Sequence, residues 1–324
     1  MNYDKQRFDI KGTQPALDKL IAKSASKSAS SVADRRDGLV YVYTDDIELT
    51  VNVALATGRP ILLRGPSGSG KSSLAQNVAL RLGRRYYEEV ITSKSQHTDL
   101  QWHFDLLRRF RDAHVGSLDP DADYIEPRAL WWAFNPDSAT HRGLVAPASP
   151  KHLARDPSRL SGQGSVVLID EIDKADPDLP NNLLVTLGSL QFTVPDLNNI
   201  KVEAQKENAP LIFITSNDER DLAVAFMRRC LVLELKAPSI ERLIAIAAQH
   251  FGDSVRGREN YKEIADALYG NADGASPPVS TAEYLDTVLA CRDLKVRPKQ
   301  GDPVWDSIVR ATIRKPLGFG EPPT

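Results

Sequence analysis

One stretch constrains this chain more than any other: Gly65, Pro66, Ser67, Gly68, Ser69, Gly70, Lys71 and Ser72, which together read GxxxxGK[ST]. An apolar run, Pro60-Ile-Leu-Leu-Arg64, precedes it, and Ser73-Leu-Ala-Gln-Asn-Val-Ala-Leu follows with helical character. A glycine-rich turn between a buried strand and a helix lets backbone N–H groups curl around phosphate oxygens, while the helix aims its positive end at them. Lys71 then reaches the β- and γ-phosphates, and the Ser72 hydroxyl completes a Mg²⁺ shell. Gly65 to Ser73 is therefore the expected nucleotide-binding loop.

Such a loop predicts a second strand that ends in an acid. Ser165-Val-Val-Leu-Ile-Asp170-Glu171 fits, with Asp170 as the magnesium-side carboxylate and Glu171 as the general base that polarises the attacking water. A further buried run, Leu211-Ile-Phe-Ile-Thr215-Ser216-Asn217, ends in polar residues. The Asn217 amide suits orienting the water or sensing the γ-phosphate, although Asn-Asp is also ordinary turn chemistry. Arg228-Arg229 stands just before the last apolar run. The residues alone leave two readings of that pair: guanidinium groups reaching a neighbour's γ-phosphate, or local ion pairs and a helix C-terminal cation.

Strand-like runs occur at Pro60 to Arg64, Tyr86 to Ile91, Val166 to Asp170, Leu211 to Thr215 and Leu231 to Leu235. Helical patterns separate them, for example Leu100, Phe104 and Leu107 in DLQWHFDLLRRF. Alternating strands and helices imply an α/β fold, a parallel sheet covered on both faces. Thr44 with Asp45, Asp46 and Glu48 opens a helix that Gly58 closes. Lys23 to Arg36, rich in Ser, Ala and Lys, reads as a linker or weak helix after a short leading segment, so 1–39 is set apart. Gly116 to Asp123 reads as an acidic loop, and Pro136 to Gly164 as a long one of functional or mobile kind.

Past Pro238 the strands stop. Ile240, Leu243, Ile244, Ala247, Ala248 and Phe251 form a helical stripe, Ser280 to Glu283 is a capping box, and Asp302-Pro303 opens another helix. The expected division is thus 1–39, a sheet domain over 40–237 and an all-helical domain over 238–324.

Composition mainly excludes. Lys plus Arg total 41 and Asp plus Glu 43, a net charge of −2, which argues against a protein built to coat nucleic acid or anionic membrane. No apolar run reaches the roughly 20 residues of a membrane span, and the first residues, MNYDKQRFDIKG, lack the apolar core of a secretory signal. Cys230 and Cys291 are too few for a disulfide framework, and the six histidines are scattered. These features point to a cytoplasmic protein.

GPSGSGKS, VVLIDEIDKAD, ITSNDER and AFMRRCLVLEL, in this order and spacing, resemble AAA+ ATPases of the MoxR-like, dynein-related group, from Val40 to about Arg314. The resemblance implies a P-loop αβα sandwich with a five-stranded parallel sheet, followed by a small helical lid. It implies ATP with Mg²⁺ at the interfaces of a homo-oligomeric ring, typically of six subunits. Asn217 then matches the sensor-1 position, and Arg229, with Arg228 beside it, the arginine finger. No sensor-2 arginine is assigned, because Ser280-Thr-Ala-Glu stands where many members carry one. Val40 to Tyr43 resembles the stretch that packs beside adenine, and Pro127-Arg-Ala-Leu130 departs from the Gly-Pro-Leu usual in the group.

The resemblance implies an ATP-driven motor that remodels a protein client, often with a von Willebrand factor A-domain adaptor. Two alternatives stay open. One is a nucleic-acid-stimulated motor of a restriction or defence system, for which Arg81, Arg84, Arg85, Arg108, Arg109 and Arg111 would supply phosphate contacts. The other is a slow nucleotide-dependent signalling switch, which an intact Glu171 and Arg229 argue against. Trp131, Trp132 and Phe134 read first as core packing, with a partner-facing cluster near the ring's pore as the second reading.

Overall fold

The computed structural model describes residues 7–25, 38–144, 153–269, 279–299 and 301–313. The linker expected over 23–36 lies outside the described residues from 26 onward, as do residues 145–152 of the long loop. Helix α1 (Ile10–Ala25) leads into α2 (Asp45–Thr57), β1 (Ile61–Arg64), α3 (Lys71–Leu82) and β2 (Arg85–Val90). Then come β3 (Trp102–Phe104), α4 (Leu106–His114), β4 (Ile125–Pro127), α5 (Ala129–Phe134), α6 (Pro136–Thr140) and β5 (Ser165–Asp170). Helix α7 (Asp178–Ser189), the pair β6 (Gln191–Val194) and β7 (Ile200–Glu203), β8 (Leu211–Ser216), α8 (Val224–Arg229) and β9 (Leu231–Glu234) follow. Among the described residues four helices come last: α9 (Ile240–Phe251), α10 (Val255–Tyr269), α11 (Thr281–Asp293) and α12 (Pro303–Thr312).

Five strands form one parallel sheet in the order β2-β5-β8-β1-β9. Successive strand residues face opposite sides, and each side has its own apolar layer. Leu62, Val167, Ile169, Ile212 and Ile214 pack with residues of α5, α7 and α8. Ile61, Leu63, Val166, Leu168 and Phe213 pack with residues of α2 and α3. The result is an αβα sandwich, the expected fold. Because the middle strands are buried on both faces, they read as continuous apolar runs in the sequence. A third cluster, including Leu243, Ala247, Tyr284, Val288, Trp305 and Ile308, unites the C-terminal helices. The capping box forms as expected, with Ser280 accepting from Glu283 N while Glu283 accepts from Ser280 N.

Three expectations are corrected. The DLQWHFDLLRRF segment is not one helix: Trp102 to Phe104 is a strand paired antiparallel with β4, and α4 starts only at Leu106. Trp102 is buried against Phe192 at 5.8 Å between ring centroids, and this tertiary contact overrides the helical spacing. The leading segment contributes to the core instead of standing apart. Phe8 is buried beside α2, exchanging hydrogen bonds with the Asn52 amide at 3.0 and 2.8 Å. The long loop begins with a helix, α6, capped by Asn135. Its later part shields the edge strand β2, where Tyr86 N donates to Ser158 Oγ at 3.1 Å. Helix α10 has no counterpart in the sequence reading.

Candidate functional site

The turn between β1 and α3 carries the GxxxxGK[ST] residues, and its glycines occupy backbone shapes that side chains resist. Gly65, Gly68 and Gly70 have φ of 140°, 75° and 90°. A Cβ at Gly65 would meet the Leu235 carbonyl oxygen at 2.2 Å, and one at Gly68 would meet Ser280 Cβ at 2.5 Å. The loop is thus pressed between the end of β9 and the start of α11, where Thr281 N also donates to the Gly68 carbonyl at 3.3 Å.

Lys71 is buried, and its ammonium donates to the carbonyls of Gly65 and Pro66 at 2.8 and 2.9 Å and to Asn217 Oδ1 at 2.7 Å. Burial pulls its pKa below the ordinary lysine value, against the opposing attraction of Asp170, Asp173, Asp218 and Glu171. Ser72 Oγ donates to Asp170 Oδ2 at 2.9 Å. The other Asp170 oxygen accepts from Thr215 Oγ1 at 2.5 Å, and Thr215 in turn accepts from Glu171 N at 2.8 Å. Glu171 has φ 62°, the left-handed region, which ends β5 abruptly. Its Oε2 accepts from Lys174 Nζ at 2.8 Å.

Asn217 is held by a residue that sequence reasoning missed. Buried Asp173 accepts from the backbone N–H groups of Asn217 at 2.9 Å and Glu219 at 3.0 Å, folding the turn after β8 onto the strand end of β5. Asp218 in that turn has φ 60° and pairs with Arg64 at 2.7 Å. The DEIDKAD run holds the clue, since an acid two residues beyond Glu171 faces the neighbouring strand end.

A cleft of about 710 Å³ joins these groups. Ser67 to Ser73, Asp170, Glu171 and Asn217 line it, together with Val40 to Val42 on one side and Arg242, His250 and Ser280 to Glu283 on the other. This size suits a small-molecule ligand. The donor set fits a nucleotide with Mg²⁺: a hydroxyl–carboxylate pair of hard oxygens, a buried ammonium and a glycine cradle. Arg242, a cation the sequence reading did not single out, enters from α9 and donates to the Val42 carbonyl at 3.2 Å. Burial pushes the Tyr41 hydroxyl up to about 12 despite Arg242 nearby.

Arg228 and Arg229 do not line the cleft; they lie exposed at the C-terminal end of α8. Trp131, Trp132 and Phe134 are buried in the main core, with indole N–H groups donating to Ser138 Oγ and the Pro127 carbonyl. The pore-facing reading of that cluster is thereby set aside.

The family profile of the AAA domain (dynein-related subfamily) matches residues 60–230. The chain belongs to this family. The family is one of nucleotide-hydrolysing P-loop proteins, and its members commonly form ring oligomers. Among solved structures it is similar to a point mutant of RuvB from Thermotoga maritima, at 15% identity over 86% of this chain and 71% of that one, TM-score 0.45. It is also similar to the Thermotoga maritima RuvB Holliday junction branch migration motor, at 16% identity over 82% and 66%, TM-score 0.41. A third is NtrX from Brucella abortus in complex with ATP, at 12% identity over 94% and 63%, TM-score 0.47. Comparison with curated proteins gives no match.

Proposed function

We propose that this AAA protein is an ATP-hydrolysing, MoxR-like remodelling motor that works as a ring, typically of six subunits, on a protein client in the cytoplasm. The observation that carries the reading is the convergence of Lys71, Ser72, Asp170, Glu171 and Asn217 on one cleft, with two exposed arginines outside it. Lys71 exchanges its loop carbonyls for the terminal phosphates of ATP. Asn217, already bonded to Lys71, follows that movement and so registers the γ-phosphate. Glu171 leaves Lys174 to take a proton from the attacking water. Ser72 and Asp170 would hold Mg²⁺, which would supply charge neutralisation at the phosphates. Arg229, with Arg228 beside it, completes the site of the neighbouring subunit.

We read 40–237, with the leading segment packed on it, as the core and 238–324 as the lid. Supporting this, the C-terminal helices have their own apolar cluster and meet the nucleotide loop at Ser280 and Gly68. Phosphate occupancy is then felt directly by α11, which gives the lid a lever for moving an adaptor of the von Willebrand factor A-domain kind or the client itself.

The six arginines of the nucleic-acid alternative are engaged within the chain. Arg81 bonds the Ile10 carbonyl and Gln14, and Arg84 the Ala209 carbonyl. Arg85 pairs with Asp156, Arg108 with Asp112 and Asp119, Arg109 with Asp121, and Arg111 with Asp112. This favours a protein client. The test is ATP turnover by wild type, Lys71→Ala and Glu171→Gln, with and without DNA or RNA. Lys71→Ala should lose ATP binding, whereas Glu171→Gln should bind ATP, stall and trap the client for capture. Wild-type turnover in Glu171→Gln would refute the assigned base. A salt-sensitive rise in activity with nucleic acid would favour the alternative.

A further inference from the structure

Helix α8 is only six residues long, Val224 to Arg229, and its last carbonyls have no partner further along the helix. Phe226 buries completely and pins one face to the core. The C-terminal end is held from elsewhere. Arg59, exposed just ahead of β1, donates to the Arg228 carbonyl at 2.7 Å, the Cys230 carbonyl at 2.8 Å and the Arg229 carbonyl at 3.3 Å. The three acceptors are consecutive, which matches the rigid planar fork of a guanidinium and also places a cation at the negative end of a helix. The clamp sits where two strands begin side by side. Leu231 N donates to the Pro60 carbonyl at 2.8 Å, and Ile61 is in register with Leu231. Among the described residues, neither the Arg228 nor the Arg229 side chain makes a hydrogen bond or an ion pair, so no polar contact of their own fixes their direction.

We propose that Arg59 is the positioning residue for Arg229: by clamping the backbone of residues 228–230 it aims the finger at the neighbouring subunit's nucleotide. The inference rests on the reading of Arg229 as that finger. A residue just ahead of the strand that leads into the chain's own phosphate loop thereby also holds the group lent to the next site. Arg59 does not line the cleft, so its loss leaves ATP binding by the same subunit intact.

The test is a double-mutant cycle in the assembled protein, using Arg59→Ala, Arg229→Ala and their combination, with Arg59→Lys as the conservative variant. Arg59→Ala should lower kcat on the order of 10- to 100-fold, the scale of a misplaced catalytic group, with ATP affinity unchanged. In the Arg229→Ala background it should cost little more, because the group it aims is gone. Arg59→Lys should recover part of the activity, since an ammonium cannot span all three carbonyls. Mixing Arg59→Ala subunits with Lys71→Ala subunits should restore turnover, because intact fingers then meet intact loops. Equal losses from Arg59→Ala with and without Arg229 would overturn the proposal, as would no recovery on mixing. Wild-type kcat in Arg59→Ala beside a crippled Arg229→Ala would refute the clamp alone. Wild-type kcat in Arg229→Ala would refute the finger and the clamp together.

Discussion

Asp173 gives the sharpest test of how the site is held. Its side chain is 2% exposed, and one carboxylate oxygen accepts from both Asn217 N and Glu219 N. A hydrogen bond to a charged group contributes about 1.5–3 kcal/mol, so the pair sums to about 3–6 kcal/mol. Two effects pull toward the lower end: ion burial has its own desolvation cost, and the turn at Asn217 and Glu219 lies partly open to water. Asp173→Ala should therefore destabilise by about 3 kcal/mol, lowering Tm by about 6–12 °C. Asp173→Asn keeps an acceptor oxygen and should cost about 1 kcal/mol. The functional loss should exceed the stability loss at assay temperature, because the freed turn no longer presents Asn217 to Lys71. Thermal denaturation and steady-state hydrolysis on the same preparations check both parts. If Asp173→Ala melts within about 2 °C of wild type and hydrolyses ATP normally, then Asp173 does not hold the Asn217 turn.

Other perturbations separate core from site. Trp131 is fully buried, so Trp131→Ala should cost about 3–5 kcal/mol in a denaturant titration; a loss confined to client engagement, with stability intact, would revive the pore-facing reading. Burial pushes the Cys230 and Cys291 thiols up to about 11. Near pH 8 an aromatic disulfide reagent should therefore leave both untouched in the native protein and titrate both after unfolding; fast native labelling would contradict their burial. The proposed role of Lys71 at the phosphates needs its ammonium form, and burial holds its pKa below 10.5. ATP affinity should be full near neutrality and start to fall with rising pH before an ordinary lysine deprotonates; calorimetric affinities that stay flat up to about pH 10 would contradict this.

Much of the site was legible because its signals are local. The three glycines, Lys71 and Ser72 lie within one turn, and backbone N–H groups near a helix start need no distant partner. Asp170 and Asn217 were legible for a related reason, since each ends an apolar run whose length and composition mark a buried strand. What stayed hidden depends on contacts between remote segments. Asp173 looked like one more acid in DEIDKAD until the end of β8 was laid beside it. Arg59 carries no local signal, because its three acceptors lie about 170 residues away. Arg242 reaches the cleft only because α9 folds back on Val42.

The sequence by itself determined the local structure: a glycine-rich strand–loop–helix, acids at strand ends, and helix caps such as Thr44 and the Ser280–Glu283 box. Hydrogen bonds between near neighbours and the alternation of apolar residues dictate those features wherever the segment sits. Only the tertiary structure decided that Trp102 to Phe104 is a strand, that α1 belongs with the core, that the tryptophans face inward, and that Arg59 grips α8. Each depends on which surface another segment buries or which orphaned carbonyl it satisfies. That free energy exists only once the chain has brought the two together.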